Sequence, residues 1–247
     1  MKALLLGLSF PLLAAAAQAG QVQVAVAANF AGPIARIGAA FTAATGHELK
    51  VSSGATGKFY TQIVSGAPFE VLLAADDETP KRLVAEGHAV AGSAYTYAIG
   101  RLVLWSARPG FVDAQGAVLG SDQVRHVAIA NPKVAPYGAA ALEVIRARGL
   151  AEVLAPKLVT AESIAQAHRF AATGNAELGF VALSQVVVPG RPASGSYWLV
   201  PPRLYGEIRQ DAVLLQAGAA NPAAAALLDF LKGDAAKALI RDAGYGP

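Results

Sequence analysis

The 247-residue sequence contains no cysteine. Disulfides, thiol catalysis and thiolate metal sites are thereby excluded, and the chain relies on its core, which a protein of this length can build without staples. Charge is sparse: Asp, Glu, Lys and Arg make up 15% of the residues, 20 basic against 17 acidic. The pI of about 9.2 comes without any Lys/Arg cluster, so it reads as scattered solvated charge and not as a nucleic-acid footprint. Beyond the first twenty positions no apolar run of 18 or more residues lacks charge, which leaves no candidate transmembrane helix there. Catalytic signatures are missing as well: there is no GxSxG elbow, no HExxH and no fixed acid pair.

What is present begins with an export signal. Lys2 supplies a positive start, Leu4 to Leu13 an apolar stretch too short to span a bilayer, and Ala17-Gln18-Ala19 an A-x-A cleavage site. Residues 1–19 are therefore expected to be a signal peptide cleaved after Ala19, with the mature chain starting at Gly20 in the periplasm. Removing Lys2 leaves 19 basic against 17 acidic residues, a net charge of about +2.

The rest is organised around Val22 to Phe30, VQVAVAANF, which reads as a buried strand. Ile34, Ile37 and Phe41 follow at spacings of three and four, as an amphipathic helix requires. Between strand and helix lie small or amide-bearing residues, at a helix start whose first N–H groups have no partner within the helix. Such a start can hold an anion. The arrangement recurs where LKVSSGATG runs into KFYTQIV, IANPKVAPYG into AALEVIRARG, and KLVTAES into IAQAHRFAATG. Four turns rich in donors and poor in charge can converge on one anion.

Short apolar strands alternating with helical runs indicate βαβ units and mainly parallel sheets. Tyr95 to Ser106 is a long extended run, read as a crossover from one lobe to another, and Tyr197 to Leu215 returns the chain. Two crossings imply a hinge. Lobe I is expected to comprise residues 20–99 and 208–247, and lobe II residues 100–207. Asn221 with Pro222 and then Asp234 open two closing helices.

AVAANF, SSGATGKFYTQIVSGAPFEVLLAAD, YAIGRLVLWS, IANPKVAPYG and LGFVAL, in this order, closely resemble the periplasmic molybdate-binding proteins of ABC transporters. The resemblance spans essentially the whole mature chain. It implies an α/β, two-lobed type II periplasmic-binding fold with a two-segment hinge, no cofactor, and molybdate or tungstate as ligand. It also implies that the protein is a monomer serving a membrane permease, and that the metal arrives as its oxyanion, with no direct protein ligand.

Carried over by position, the resemblance implies that Ala28, Asn29, Thr56, Tyr137 and Ile164 hold the oxyanion, with Gly57, Gly138 and Ser163 behind them. Some relatives carry a hydroxyl residue where Ala28 stands and a ligand-contacting Tyr where Ala182 stands. With both donors missing, the Asn29 amide, the Thr56 hydroxyl and the Tyr137 phenol are expected to carry the side-chain recognition.

Three other readings compete. Another tetrahedral oxyanion, sulfate or chromate, fits the same donors. His168 with Glu162 or Glu177, and Ser163 as nucleophile, would make a hydrolase or lyase, although Ser163 reads better as a helix cap. Tyr95 and Tyr97 would suggest ferric-iron binding by phenolates; their i, i+2 spacing reads more simply as packing on one strand face.

Overall fold

The computed structural model describes residues 19–191 and 193–246, so all but the last position of the expected signal peptide lies outside the described residues. Among the described residues ten strands fall into two five-stranded sheets, one per lobe. The first holds β1 (Gln21–Ala27), β2 (Glu48–Gly54), β3 (Val71–Leu73), β4 (Tyr95–Gly100) and β10 (Ile208–Leu214), in the order β2-β1-β3-β10-β4. The second holds β5 (Leu102–Ser106), β6 (Val127–Ala130), β7 (Leu158–Ala161), β8 (Leu178–Ala182) and β9 (Ser196–Leu199), in the order β7-β6-β8-β5-β9.

Around them lie α1 (Ala31–Thr45), α2 (Thr56–Val64), α3 (Glu78–Ala85), α4 (Pro136–Ala147), the single turn α5 (Ala151–Leu154), α6 (Ile164–Ala172), α7 (Pro222–Lys232) and α8 (Asp234–Asp242). The helix signals in the sequence have their physical counterparts. Ile34, Ile37 and Phe41 form the buried face of α1, and Gly46, at φ 76°, closes it in the left-handed conformation that glycine adopts without strain. Asn221 accepts from the Ala223 N–H at the start of α7, where Pro222 occupies the first position. Among the described residues no helix is long and apolar enough to cross a membrane.

Both sheets are mixed, where the strand–helix alternation pointed to mainly parallel ones. β1 pairs in parallel with β2 and β3, and β6 with β7 and β8, as βαβ units require. The antiparallel half comes from the strands on either side of the crossings: β10 lies against β3 and β4, and β5 against β8 and β9. The extended run Tyr95 to Ser106 is in fact two strands, broken at Arg101, the first in one sheet and the second in the other. The return run is likewise split, because Pro201 and Pro202 carry no N–H for a ladder.

Each lobe has its own core, built on Val22, Val24, Ile37, Leu227 and Ile240 in one and on Leu104, Ile129, Val144 and Phe180 in the other. β1, β2, β6 and β7 all point their carboxyl ends toward the junction of the two lobes, and from these ends α1, α2, α4 and α6 begin. This is where open α/β sheets place ligands.

His168 lies on α6 with its ring stacked on Trp105, centroids 4.7 Å apart. Burial holds its pKa below the ordinary histidine value of 6.5. The unfolded chain therefore takes up a proton that the folded one refuses, and stability should fall as the pH drops below 6.5. Chemical denaturation of His168→Phe alongside the parent across pH 4.5–7.5 is expected to show this slope reduced in the variant.

Candidate functional site

Four helix starts and one short strand end surround a cavity between the lobes, and all five expected ligand residues line it: Ala28, Asn29, Thr56, Tyr137 and Ile164. None of the lining residues carries a charge. The cavity volume is about 10 Å³, far below the roughly 300–1,000 Å³ of pockets for organic ligands. The space suits a single small ion.

Local sequence explains each donor. Thr56 is the first residue of α2 and Ile164 the first of α6, positions whose N–H groups the helix cannot satisfy. In α4 the first position is Pro136, which has no N–H, so Tyr137 presents the leading one. Ala28 and Asn29 form a short 3-10 turn between β1 and α1. Thr56 adds a side chain: its Oγ1 accepts from the Ala75 N–H at 3.0 Å, which leaves the hydroxyl proton to donate elsewhere. Ser163 caps α6 by accepting from the Gln166 N–H, as its sequence position suggested. Gly138 packs α4 onto the end of β6, where any Cβ would run into the Ala130 carbonyl.

Two of the expected side-chain donors are engaged behind the cavity. The Asn29 amide does not stand free: Nδ2 donates to Gln210 Oε1 at 2.8 Å and to the Tyr245 hydroxyl at 2.9 Å, and Oδ1 has no partner among the described residues. The Tyr137 phenol is likewise directed at the hinge, accepting from Gln210 Nε2 at 3.2 Å, and burial raises its pKa well above the usual tyrosine value. The space next to Gly100 takes its hydroxyl. Ala182 is fully buried at the end of β8 and is not part of the cavity wall; its N–H is held by Gln185 Oε1.

The competing constellations do not assemble. Glu162 pairs with Lys58, Glu177 accepts from the Arg125 and His126 N–H groups, and His168 is stacked on Trp105, so no acid–base set forms. Tyr95 donates to the Leu228 carbonyl and Tyr97 to that of Ala74, and burial raises both pKa values, against the phenolate that iron would need. Residues that carried no local signal are Ala75, Gly100, Gln210 and Tyr245; they meet the site only through contacts between distant segments.

Across the cleft mouth the lobes touch. The Gly57 N–H donates to the Val134 carbonyl at 3.0 Å, and Lys58 pairs with Glu162 at 2.6 Å. The pair is exposed and screened by solvent, so the backbone contact at Gly57 is the more stringent one.

The sequence profile of bacterial extracellular solute-binding proteins matches residues 22–246. The chain belongs to the bacterial extracellular solute-binding protein family. Within this family it is 59% identical over 243 residues to the molybdate-binding protein ModA of Azotobacter vinelandii, covering 98% of this chain and 96% of the relative. It is 57% identical to ModA of Rhodobacter capsulatus, covering 98% and 93%. The solved structure of the Azotobacter vinelandii periplasmic molybdate-binding protein superposes with a TM-score of 0.90 at 43% identity, over 92% of this chain and 99% of the other. A sulfate-binding protein from Mycobacterium tuberculosis shares the fold at 16% identity and a TM-score of 0.70, over 93% of this chain and 87% of the other.

A Cβ on Gly57 would lie 3.0 Å from the Val134 Cα, against backbone that cannot turn aside. Gly57→Ala should therefore force Val134 to give by a few tenths of an ångström and loosen this contact between the lobes. Thermal unfolding is expected to show a modestly lower melting temperature for the variant than for the parent.

Proposed function

We propose that this protein is a periplasmic receptor that captures molybdate, and tungstate with it, between its lobes and delivers the ion to the membrane permease of an ABC transporter. The observation that carries the reading is a charge-free cavity, sized for one small ion, at the meeting point of four helix starts. Near-full-length relatives that bear the name of molybdate-binding proteins support it. Sheet membership supports lobe I as residues 20–99 and 208–247 and lobe II as residues 100–207, with the crossings at Gly100–Leu102 and Leu199–Ile208 as the hinge. The protein acts as a monomer and performs no catalysis.

Molybdate is a tetrahedral dianion that carries no proton at neutral pH, so it needs donors and no acceptor. The N–H groups of Ala28, Asn29, Thr56, Tyr137 and Ile164 and the Thr56 hydroxyl supply them. Each charge-assisted hydrogen bond contributes about 1.5–3 kcal/mol, and each helix start adds about 0.3–1 kcal/mol through its dipole. A smaller sulfate leaves donors unpaired, and a protonated phosphate finds no acceptor for its proton, each at a cost of about 1–3 kcal/mol per unpaired group. Neutral donors also release the ion more readily than Lys or Arg would. Closing the lobes buries it, and binding drives closure because the donors of both lobes reach it only when closed.

Thermal unfolding with molybdate, tungstate, chromate, sulfate and phosphate tests this. A ligand at one hundred times its Kd stabilises the fold by about 2.7 kcal/mol, so molybdate and tungstate should raise the melting temperature while sulfate and phosphate leave it in place. A response to sulfate equal to that to molybdate would reassign the ligand.

Thr56→Val keeps the shape of the side chain and removes the hydroxyl. It should weaken molybdate binding by about 1–3 kcal/mol in calorimetry, with Thr56→Ser largely retaining affinity.

A further inference from the structure

Behind the cavity lies a buried polar cluster that joins both lobes and the C-terminal tail. Gln210, fully buried on β10, is its centre. Its amide lies 2.8 Å from Asn29 Nδ2, 3.2 Å from the Tyr97 hydroxyl and 3.2 Å from the Tyr137 hydroxyl. Tyr245 extends the cluster: its hydroxyl lies 2.9 Å from both Asn29 Nδ2 and the Asn29 carbonyl, and 3.0 Å from Ser184 in lobe II.

Two backbone devices make room for it. The register of β10 against β4 slips between Gln210 and Asp211, which leaves Tyr97 as the extra residue of a bulge. Further along β4, Gly100 has no side chain, and a Cβ there would lie 2.7 Å from Gln210 Nε2 and clash with the Tyr137 hydroxyl.

The hydrogens in this arrangement do not all find acceptors. Asn29 Oδ1 is unpaired among the described residues. Tyr97 has one proton for two oxygens, the Ala74 carbonyl at 2.9 Å and Gln210 Oε1 at 3.2 Å. The Tyr137 hydroxyl accepts from Gln210 and has no acceptor for its own proton among the described residues.

Turning both carboxamides by half a rotation, which changes no shape, removes these three conflicts and moves one to Tyr245, whose single proton then faces both Asn29 Oδ1 and the Asn29 carbonyl, each at 2.9 Å. Gln210 Nε2 then donates to Asn29 Oδ1 and to the Tyr97 hydroxyl, Tyr97 keeps its proton on Ala74, and Tyr137 donates to Gln210 Oε1. Asn29 Nδ2 now occupies the end of the amide away from the hinge, on a residue that lines the cavity. The two amides must turn together, because two carbonyl oxygens 2.8 Å apart cannot pair.

We propose that Gln210 is a positioning residue for the oxyanion: with the ion bound, it turns with Asn29 and holds the Asn29 amide with its N–H groups toward the cavity. An anion repels an amide oxygen and attracts its N–H, so the ion selects the turned pair. Gln210 also ties this choice to Tyr137, whose backbone N–H belongs to the other lobe. The inference rests on the reading of the cavity as the molybdate site.

A double-mutant cycle measured by calorimetry with molybdate tests it. Gln210→Met should weaken binding about tenfold in the parent and less than about twofold in the Asn29→Ala background, since a positioning residue has nothing left to position. Equal losses in both backgrounds would overturn the proposal and leave Gln210 a purely structural residue. If Asn29→Ala alone leaves affinity unchanged, the side-chain role of Asn29 fails, and this inference with it, while the thermal-shift panel still reports on the site. Should Gln210→Met not fold, side-chain amide resonances of the ¹⁵N-labelled parent decide. Those of both Asn29 and Gln210 should move on adding molybdate, and a shift confined to Asn29 or absent from both would overturn the coupling.

Discussion

A helix cannot satisfy its own first N–H groups, and the site of this protein depends on that constraint. The 3-10 turn before α1 and the starts of α2, α4 and α6 bring such groups to one cavity with no charged side chain in its wall. An arginine or lysine here would attract any anion and hold it hard. Neutral donors in fixed positions discriminate by geometry instead, because each one left unpaired in a desolvated site has a cost.

The same constraint accounts for the residues behind the donors. Thr56 Oγ1 is occupied as an acceptor by the Ala75 N–H, so its proton points elsewhere. Ser163 uses its hydroxyl on Gln166 and leaves the Ile164 N–H at the front of α6. Gly57 and Gly138 contribute by what they lack: one lets the lobes meet at Val134, the other lets α4 seat against the end of β6. The polar cluster around Gln210 then links the two halves of the cleft through side chains that water does not reach, where an unpaired group is costly and alternative pairings are correspondingly distinct.

Much of this was legible locally. The strand-to-helix turns, the amphipathic face of α1, the glycine after Thr45 and the cap at Asn221 follow from periodicity and from residues whose backbone preferences are narrow. The five cavity residues could be named because the resemblance to the periplasmic molybdate-binding proteins carried them over by position. The side-chain roles of Asn29 and Tyr137 were not legible: what a buried amide or phenol pairs with is decided by partners 181 and 73 residues away in the chain. The mixed character of the sheets escaped for a similar reason, since strand direction after a crossing depends on which sheet edge is open, and no local pattern records that.

The sequence by itself determined that the core would stand without disulfides, where helices would begin, and that the donors at those points would be uncharged, because these follow from residue chemistry and short-range geometry. Only the tertiary structure decided that four of those starts would face one another, that Gly57 would touch the opposite lobe, and that Gln210 and Tyr245 would stand behind the site. Those outcomes are contacts between segments far apart in the chain, fixed by how two separate cores pack and join, and no local run of residues specifies them.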